Sequence, residues 1–225
     1  MNDPPGRHAS QEIREGRLRD LRRHLARVPQ VPRTTRGCSP GELAERATTH
    51  AVTGWGRRRE GWRLINGVYI AGHGRIDHVL IGPGGVFVIA SKWTSNTCRI
   101  EFGEIVGLLG RVPVAQAGDG AAKVEKLLRR GPQRFDVEVR PVLVIWGPGG
   151  VMLDRGSTDI DGVMICEGRR HRDWVRQLEG PTHLDLSSVD AITRALEDLL
   201  ARPADAATVD PARMADGGLR LERTR

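Results

Sequence analysis

Residues 75–93, RIDHVLIGPGGVFVIASKW, decide the fold of this chain. Two apolar, β-branched runs, at 75–81 and 86–93, flank a Gly-Pro-Gly-Gly turn, and this pattern predicts an antiparallel β-hairpin. Both runs are apolar on each alternation, which is typical of strands that are covered on both faces. We therefore expect these two strands to lie in the centre of a sheet.

The turn also sets the register of the hairpin. If it is centred on Pro83 and Gly84, Asp77 lies opposite Ala90. Opposed residues share a face, as do residues two apart on one strand, so Asp77, Ala90 and Lys92 project from the same side. An acid and a lysine are costly to bury on an apolar face, which makes them candidate functional residues. The alternative is a single Asp–Lys ion pair at the end of the sheet.

Further elements follow on both sides of the hairpin. Ser39-Pro40-Gly41-Glu42 has the capping-box pattern and predicts a helix that runs to about Val52. Other apolar runs predict strands at 62–70, 98–102, 137–146 and 162–166 and helices at 116–130, 170–178 and 187–200, the last capped by Ser187. The fold class is therefore α/β, with a mixed central β-sheet flanked by helices.

The two ends of the chain differ from this pattern. Apolar residues recur at helical spacing among arginines over 10–28, a proline-rich linker follows at about 29–38, and no periodicity follows Pro203. We expect three segments, namely a basic helical arm and linker at 1–38, a main domain at 39–180, and a C-terminal helix with a disordered tail at 181–225.

Composition excludes several classes of protein. No apolar run approaches about 18 residues, which rules out a transmembrane helix, and the N-terminus lacks the apolar segment of a secretory signal. The three cysteines are far apart, which argues against a disulfide framework and for a reducing compartment. We therefore expect a cytoplasmic protein that does not bind a membrane.

The charge distribution suggests a polyanionic partner. The chain has 35 basic and 28 acidic residues, and the basic excess lies in the first 150 residues. Such a distribution is compatible with binding to a phosphate backbone, although an arginine-rich solvated surface explains it equally well. The densest basic cluster of the main domain is Arg57, Arg58 and Arg59, which are candidates for phosphate contact or for a solvated loop.

Several of these motifs together resemble a known family. The combination comprises Gly41-Glu42, Ile76-Asp77-His78-Val79, the run GGVFVI at 84–89 and Lys92. It resembles the nuclease-related (NERD) domain over about residues 40–180. The resemblance implies a restriction-endonuclease-like, PD-(D/E)XK core and a Mg²⁺-dependent phosphodiesterase (endonuclease) activity on DNA.

The resemblance also implies roles for individual residues. Asp77 matches the metal-binding aspartate, Glu42 the helix glutamate that assists in metal binding, and Lys92 the lysine that orients the attacking water. Gln116 matches a helix-start glutamine of the family. From the residues alone, Glu42 is equally explained as the capping-box residue and Gln116 as a helix cap. His78 points to the other face and is expected to be a core or rim histidine rather than a general base.

The chain departs from the family at one position. The acid of (D/E)-x-K is Ala90 here, in Ala90-Ser91-Lys92, and a methyl group cannot ligate a metal ion. A carboxylate from elsewhere could replace it, and Glu125 is the first choice over Glu101 and Glu104. We otherwise expect weak or lost catalysis in a DNA-processing or DNA-binding protein. The alternative is a non-enzymatic nucleic-acid-binding or protein-interaction module, with a protein partner held by the N-terminal helix.

Overall fold

The computed structural model describes residues 37–57, 59–70, 74–107, 112–153, 156–180 and 183–201. The predicted helix at 10–28, most of the linker, Arg58 and the predicted tail after Pro203 lie outside the described residues. No helix among the described residues is both long and apolar enough to cross a membrane.

The described chain folds into an α/β structure, as predicted. In chain order the elements are α1 (Pro40–Gly56), β1 (Arg63–Ile70), β2 (Gly74–Gly82), β3 (Gly85–Trp93), β4 (Arg99–Glu101), β5 (Glu104–Val106), α2 (Val112–Arg130), β6 (Val139–Trp146), β7 (Ser157–Ile160), β8 (Val163–Glu167), α3 (His171–Glu179) and α4 (Leu186–Ala201). A short 3₁₀ turn, Gly168–Arg170, precedes α3.

Six strands form one mixed sheet in the order β1-β2-β3-β6-β8-β7. The β2–β3 hairpin has the predicted register, since Gly82 pairs with Gly85 and His78 with Ile89. The same register places Asp77 opposite Ala90. On its other side β3 pairs in parallel with β6, so β3 has a neighbouring strand on each edge. β2 and β3 are therefore interior strands, as their uninterrupted apolar pattern predicts.

Helices cover both faces of this sheet. On one face, α1 and α3 pack on a cluster that includes Ala47, Phe87 and Trp174. On the other face, α2 and α4 pack on a cluster that includes Val88, Val124 and Ile192. The helix α4 thus shares the apolar core of the sheet although it lies beyond residue 180. This three-layer arrangement leaves the polar end of β3 accessible at the edge of both layers.

Some elements differ from the sequence predictions. The predicted strand at 98–102 is present as β4, but it lies in the small β4–β5 hairpin and not in the main sheet. The helix α2 begins at Val112 because Pro113 is tolerated in a first turn. Strand β7 was missed, since STDI has little apolar character. The cap of α4 is Asp185, not Ser187, because Asp185 Oδ1 accepts the backbone N–H of Ser188 at 2.7 Å.

Candidate functional site

Four of the residues singled out in the sequence line one cleft. Asp77 comes from β2, Ala90 and Lys92 come from β3, and Gln116 comes from α2. The cleft has a volume of about 290 Å³ and lies between α2 and the ends of these two strands. We call it the nuclease-like cleft. It also contains Arg75, Asp119 and Lys123, which the sequence reasoning did not single out. The sequence signals that could have found them are weak: Arg75 lies two residues before Asp77, and Asp119 and Lys123 are at helical spacing from Gln116.

A chain of hydrogen bonds holds Asp77 from behind. The backbone N–H of Ser91 donates to Asp77 Oδ2 at 2.8 Å. The Ser91 hydroxyl lies on the opposite face of β3 and shares a 2.7 Å hydrogen bond with Thr48 Oγ1 of α1. The indole N–H of Trp146 donates to the same Thr48 oxygen at 2.8 Å. The Asp77 carboxylate is therefore fixed through buried groups on three elements.

The environment of Asp77 disfavours its charged form. Burial raises the pKa of this carboxyl above its ordinary value, and the nearby Glu45 raises it further. The Ser91 N–H, Lys92 and Arg75 act in the opposite direction but do not cancel the effect of burial. A carboxylate held in a partly desolvated position against its preference is typical of functional sites.

β1 has a kink at Gly67, where its side chains change from one face of the sheet to the other. Leu64 packs on the α1 face of the sheet, yet Val68, four residues further along the same strand, packs on the α2 face. Regular alternation would keep both on one face, and the break coincides with Gly67, whose φ is +65°. Beyond the kink, Arg75 forms a bidentate ion pair with Glu45 of α1, at 2.9 and 2.6 Å.

The α1 acid whose charge acts on Asp77 is Glu45. Glu42 Oε2 accepts the backbone N–H of Ser39 at 2.8 Å, and Ser39 Oγ accepts the N–H of Glu42. Both bonds of the capping box are thus present, and Glu42 does not line the nuclease-like cleft. Glu45 lies one turn further along α1. The sequence reasoning missed it because its partner, Arg75, is 30 residues away in the sequence.

The carboxylate proposed as a substitute for the missing acid lies elsewhere. Glu125 Oε2 accepts the backbone N–H of Val139 at 3.1 Å, and Glu125 Oε1 pairs with Arg129. The carboxylate that does line the nuclease-like cleft on α2 is Asp119, which is exposed. Gln116, Asp119 and Lys123 are spaced as one helix face, so this face of α2 forms a wall of the cleft.

The donor set does not fit a fully formed magnesium site. Within the described residues, no three His, Cys, Asp or Glu side chains gather closely enough to hold a metal ion. Opposite Asp77, position 90 contributes only the methyl group of Ala90 to the cleft. Two carboxylates, Asp77 and Asp119, are what the cleft itself provides.

The predicted basic cluster is divided between two surfaces. Arg57 is exposed at the C-terminal cap of α1, and Arg58 lies outside the described residues. Arg59 pairs with Glu179 of α3 and lies over the ring of Trp55, at 5.1 Å from its centroid. Within the described residues, Arg57 and Arg59 do not line the nuclease-like cleft.

His78 is a core residue, as expected. It is 1% exposed, and its Nδ1 lies 2.8 Å from Asn66 Oδ1. Because an amide oxygen only accepts, Nδ1 carries the proton. Its buried Nε2 has no hydrogen-bond partner among the described residues. Burial and the nearby Arg75 lower the pKa of His78 to about 4, so the ring is neutral at physiological pH.

The fold and the cleft agree with one class of protein. The mixed sheet is covered by helices and has an aspartate and a lysine of neighbouring strands in one cleft, which is consistent with a nuclease-like α/β core. Residues 40–146 match the family model of the nuclease-related domain, NERD, and this match confirms the resemblance. It covers α1 to β6 and includes Asp77, Ala90, Lys92 and Gln116. Searches of curated proteins and of solved structures found no match.

Proposed function

We propose that this protein binds DNA through the nuclease-like cleft and that its capacity to hydrolyse DNA is weak or lost. The observation that carries the proposal is the composition of the cleft, in which Asp77, Lys92 and Gln116 meet while Ala90 occupies the position of the second acid. A PD-(D/E)XK site uses both acids to hold Mg²⁺, which supplies charge stabilisation to the phosphodiester and an activated water. In this chain one of the two acids is replaced by a methyl group, whereas the lysines that could contact a phosphate group, Lys92 and Lys123, are retained.

Charge supports the binding part of this proposal. The nuclease-like cleft is lined by Arg75, Lys92 and Lys123 against Asp77 and Asp119, and Arg75 is already paired with Glu45. The two lysines are half-buried at the walls, where they can meet a phosphate group. An alanine at position 90, in place of an acid, also removes a negative charge that would repel the DNA backbone.

Salt-dependent binding tests the proposal. We would measure the affinity of the protein for duplex DNA by fluorescence anisotropy, in EDTA and over a range of salt concentrations. Lys123→Ala should weaken binding and reduce the slope of log K against log salt by about 0.9, the effect of one lost phosphate contact. Lys126→Ala is the matched control, because it removes the same charge from the same helix but does not line the cleft. Equal effects of the two variants would contradict binding at this cleft.

A second candidate function is slow metal-dependent hydrolysis, and the presence of Asp119 in the cleft favours it. Mg²⁺ keeps several waters and is often held by one or two carboxylates, so Asp77 and Asp119 could suffice. In that case the wild type would nick plasmid DNA in Mg²⁺, and both Asp77→Ala and Asp119→Asn would abolish nicking. Nicking that is absent from the wild type would exclude this candidate.

A further inference from the structure

A second cleft lies on the opposite side of the sheet, between α1 and α3. It has a volume of about 520 Å³, which is within the usual range for a small-molecule site. Its lining includes His50, Trp55, Arg59, His171, Arg172 and Arg176. We call it the arginine cleft. Because α1 and α3 pack on the face away from α2, the arginine cleft is separate from the nuclease-like cleft.

Two arginines of this cleft, Arg172 and Arg176, repel each other in the unliganded protein. Arg172 and Arg176 are exposed and lie four residues apart on α3, so their charges face each other on one side of the helix. Like charges at this spacing destabilise a helix. Within the described residues, neither guanidinium forms an ion pair with a carboxylate. Both are therefore available to an anion from outside, which would relieve the repulsion.

The third arginine is held in position by its neighbours. Arg59 Nε donates to Glu179, and the guanidinium lies over Trp55. Trp55 Nε1 donates to the same Glu179 oxygen at 3.2 Å. Among the described groups, the bond from Arg59 uses only Nε, so its terminal N–H groups remain for a ligand. A fixed guanidinium loses little entropy on binding, and its fork geometry matches phosphate.

The charges of the arginine cleft also act on a histidine in its wall. The pKa of His171 is lowered mainly by burial, and Arg172 and His50 lower it further. Asp173 and the backbone of Arg169 act in the opposite direction. Arg172 and His50 thus act on this ring in the direction that a bound anion would oppose.

We propose that the arginine cleft binds a phosphate monoester. Arg59, Arg172 and Arg176 contact the phosphate group, and Trp55 lies beside the organic part of the ligand. The volume suits a group of nucleotide size. Two sources share this chemistry, namely a free nucleotide and the 5′-phosphorylated end of a DNA strand. The inference does not depend on hydrolysis or binding in the nuclease-like cleft, because the two clefts have no lining residue in common.

Calorimetry on the full chain in a phosphate-free buffer with EDTA tests the proposal. The probes are adenosine monophosphate against adenosine, and a 5′-phosphorylated oligonucleotide against the same strand without the phosphate. The phosphorylated member of at least one pair should bind more tightly. Preference for the monophosphate indicates a free nucleotide as the source, and preference for the phosphorylated strand indicates a DNA end; either supports the site. No preference in either pair would overturn it.

Variants locate the binding. Arg172→Ala with Arg176→Ala should weaken the phosphate-dependent binding at least about tenfold, because two charged hydrogen-bonding groups are lost. Arg130→Ala with Arg134→Ala removes the same charge from exposed positions outside the cleft and should change the affinity less than about twofold. Phosphate binding should also raise the pKa of His171, followed by NMR. Unchanged affinity in the first variant, or an unmoved His171 pKa, would refute the assignment.

Discussion

Acidification should destabilise this protein through His78. The folded state holds the pKa of this ring at about 4, whereas an unfolded histidine titrates near 6.5. Between about pH 6.5 and about pH 4 the unfolded chain binds a proton at this ring and the folded state does not, so the free energy of unfolding falls as the pH drops through this range. From about pH 7.5 to about pH 5, this linkage amounts to a loss of about 2 kcal/mol in the free energy of unfolding.

The structural reason lies in the hydrogen-bonding of the ring. Nδ1 already carries the proton that Asn66 accepts, so acid must protonate Nε2, which is buried and has no partner in the described part of the chain. Arg75 nearby adds repulsion. Protonation therefore places a charge on a buried nitrogen for which the described residues offer no hydrogen-bond partner.

Urea denaturation at the two pH values measures this effect. His78→Gln keeps a polar side chain but does not titrate, and comparing it with the wild type cancels the other ionisable groups. The wild type should lose about 2 kcal/mol more than the variant on acidification. Parallel losses in the two proteins would refute the assignment of a depressed pKa to His78, whatever their stabilities at neutral pH.

Three further substitutions test the packing around the site. Thr48→Val should lower the free energy of unfolding, measured by urea denaturation, by about 2 to 4 kcal/mol, because it leaves the buried groups of Trp146 and Ser91 without a partner. Thr49→Val should lower it by less than about 1 kcal/mol. Equal losses in the two variants would contradict the hydrogen-bond network. Asp77→Asn should raise the free energy of unfolding at neutral pH, because the raised pKa means that ionisation of Asp77 destabilises the folded state. This gain in stability should vanish towards about pH 4. A variant less stable than the wild type at neutral pH would count against a desolvated carboxylate. Gly84→Ala should prevent folding, since its Cβ would lie 2.0 Å from the Leu178 carbonyl oxygen, while Gly54→Ala meets nothing within 4 Å and should be neutral or stabilising in thermal melts.

The hairpin could be read from the sequence because its determinants are local. A Gly-Pro-Gly-Gly turn between two β-branched runs fixes the register, and the register alone places Asp77, Ala90 and Lys92 on one face. The capping box at Ser39 was predictable for the same reason, since its bonds span three residues. The family match adds a second route to the same residues.

The rest of the site depends on contacts that are distant in the sequence. The pairing of Arg75 with Glu45 joins β2 to α1 across 30 residues of sequence, and a period-two pattern does not reveal it. Asp119 enters the nuclease-like cleft because of how α2 crosses the sheet, which the spacing of its own residues does not determine. For the same reason Glu125, an equally plausible carboxylate in the sequence, lies outside the cleft.

The arginine cleft illustrates this limit most clearly. Arg59 and Arg172 are separated by more than a hundred residues, and nothing in the sequence links the Arg57–Arg59 cluster to Arg172. They meet because α1 and α3 cover the same face of the sheet. The density of arginine in the sequence predicted contact with a phosphate group, but only the fold indicates which of them converge.

The central claim is that the nuclease-like cleft lacks one carboxylate and is otherwise intact. Ala90→Glu tests it most directly, because opposed residues of an antiparallel pair have Cβ atoms about 5 Å apart and the new carboxylate would face Asp77. Plasmid nicking would be followed with Mg²⁺ and with EDTA for the wild type, Ala90→Glu and Ala90→Glu combined with Asp77→Ala. We expect Mg²⁺-dependent nicking only in the single variant. Nicking by the wild type, or a folded, DNA-binding Ala90→Glu protein without activity, would contradict the claim.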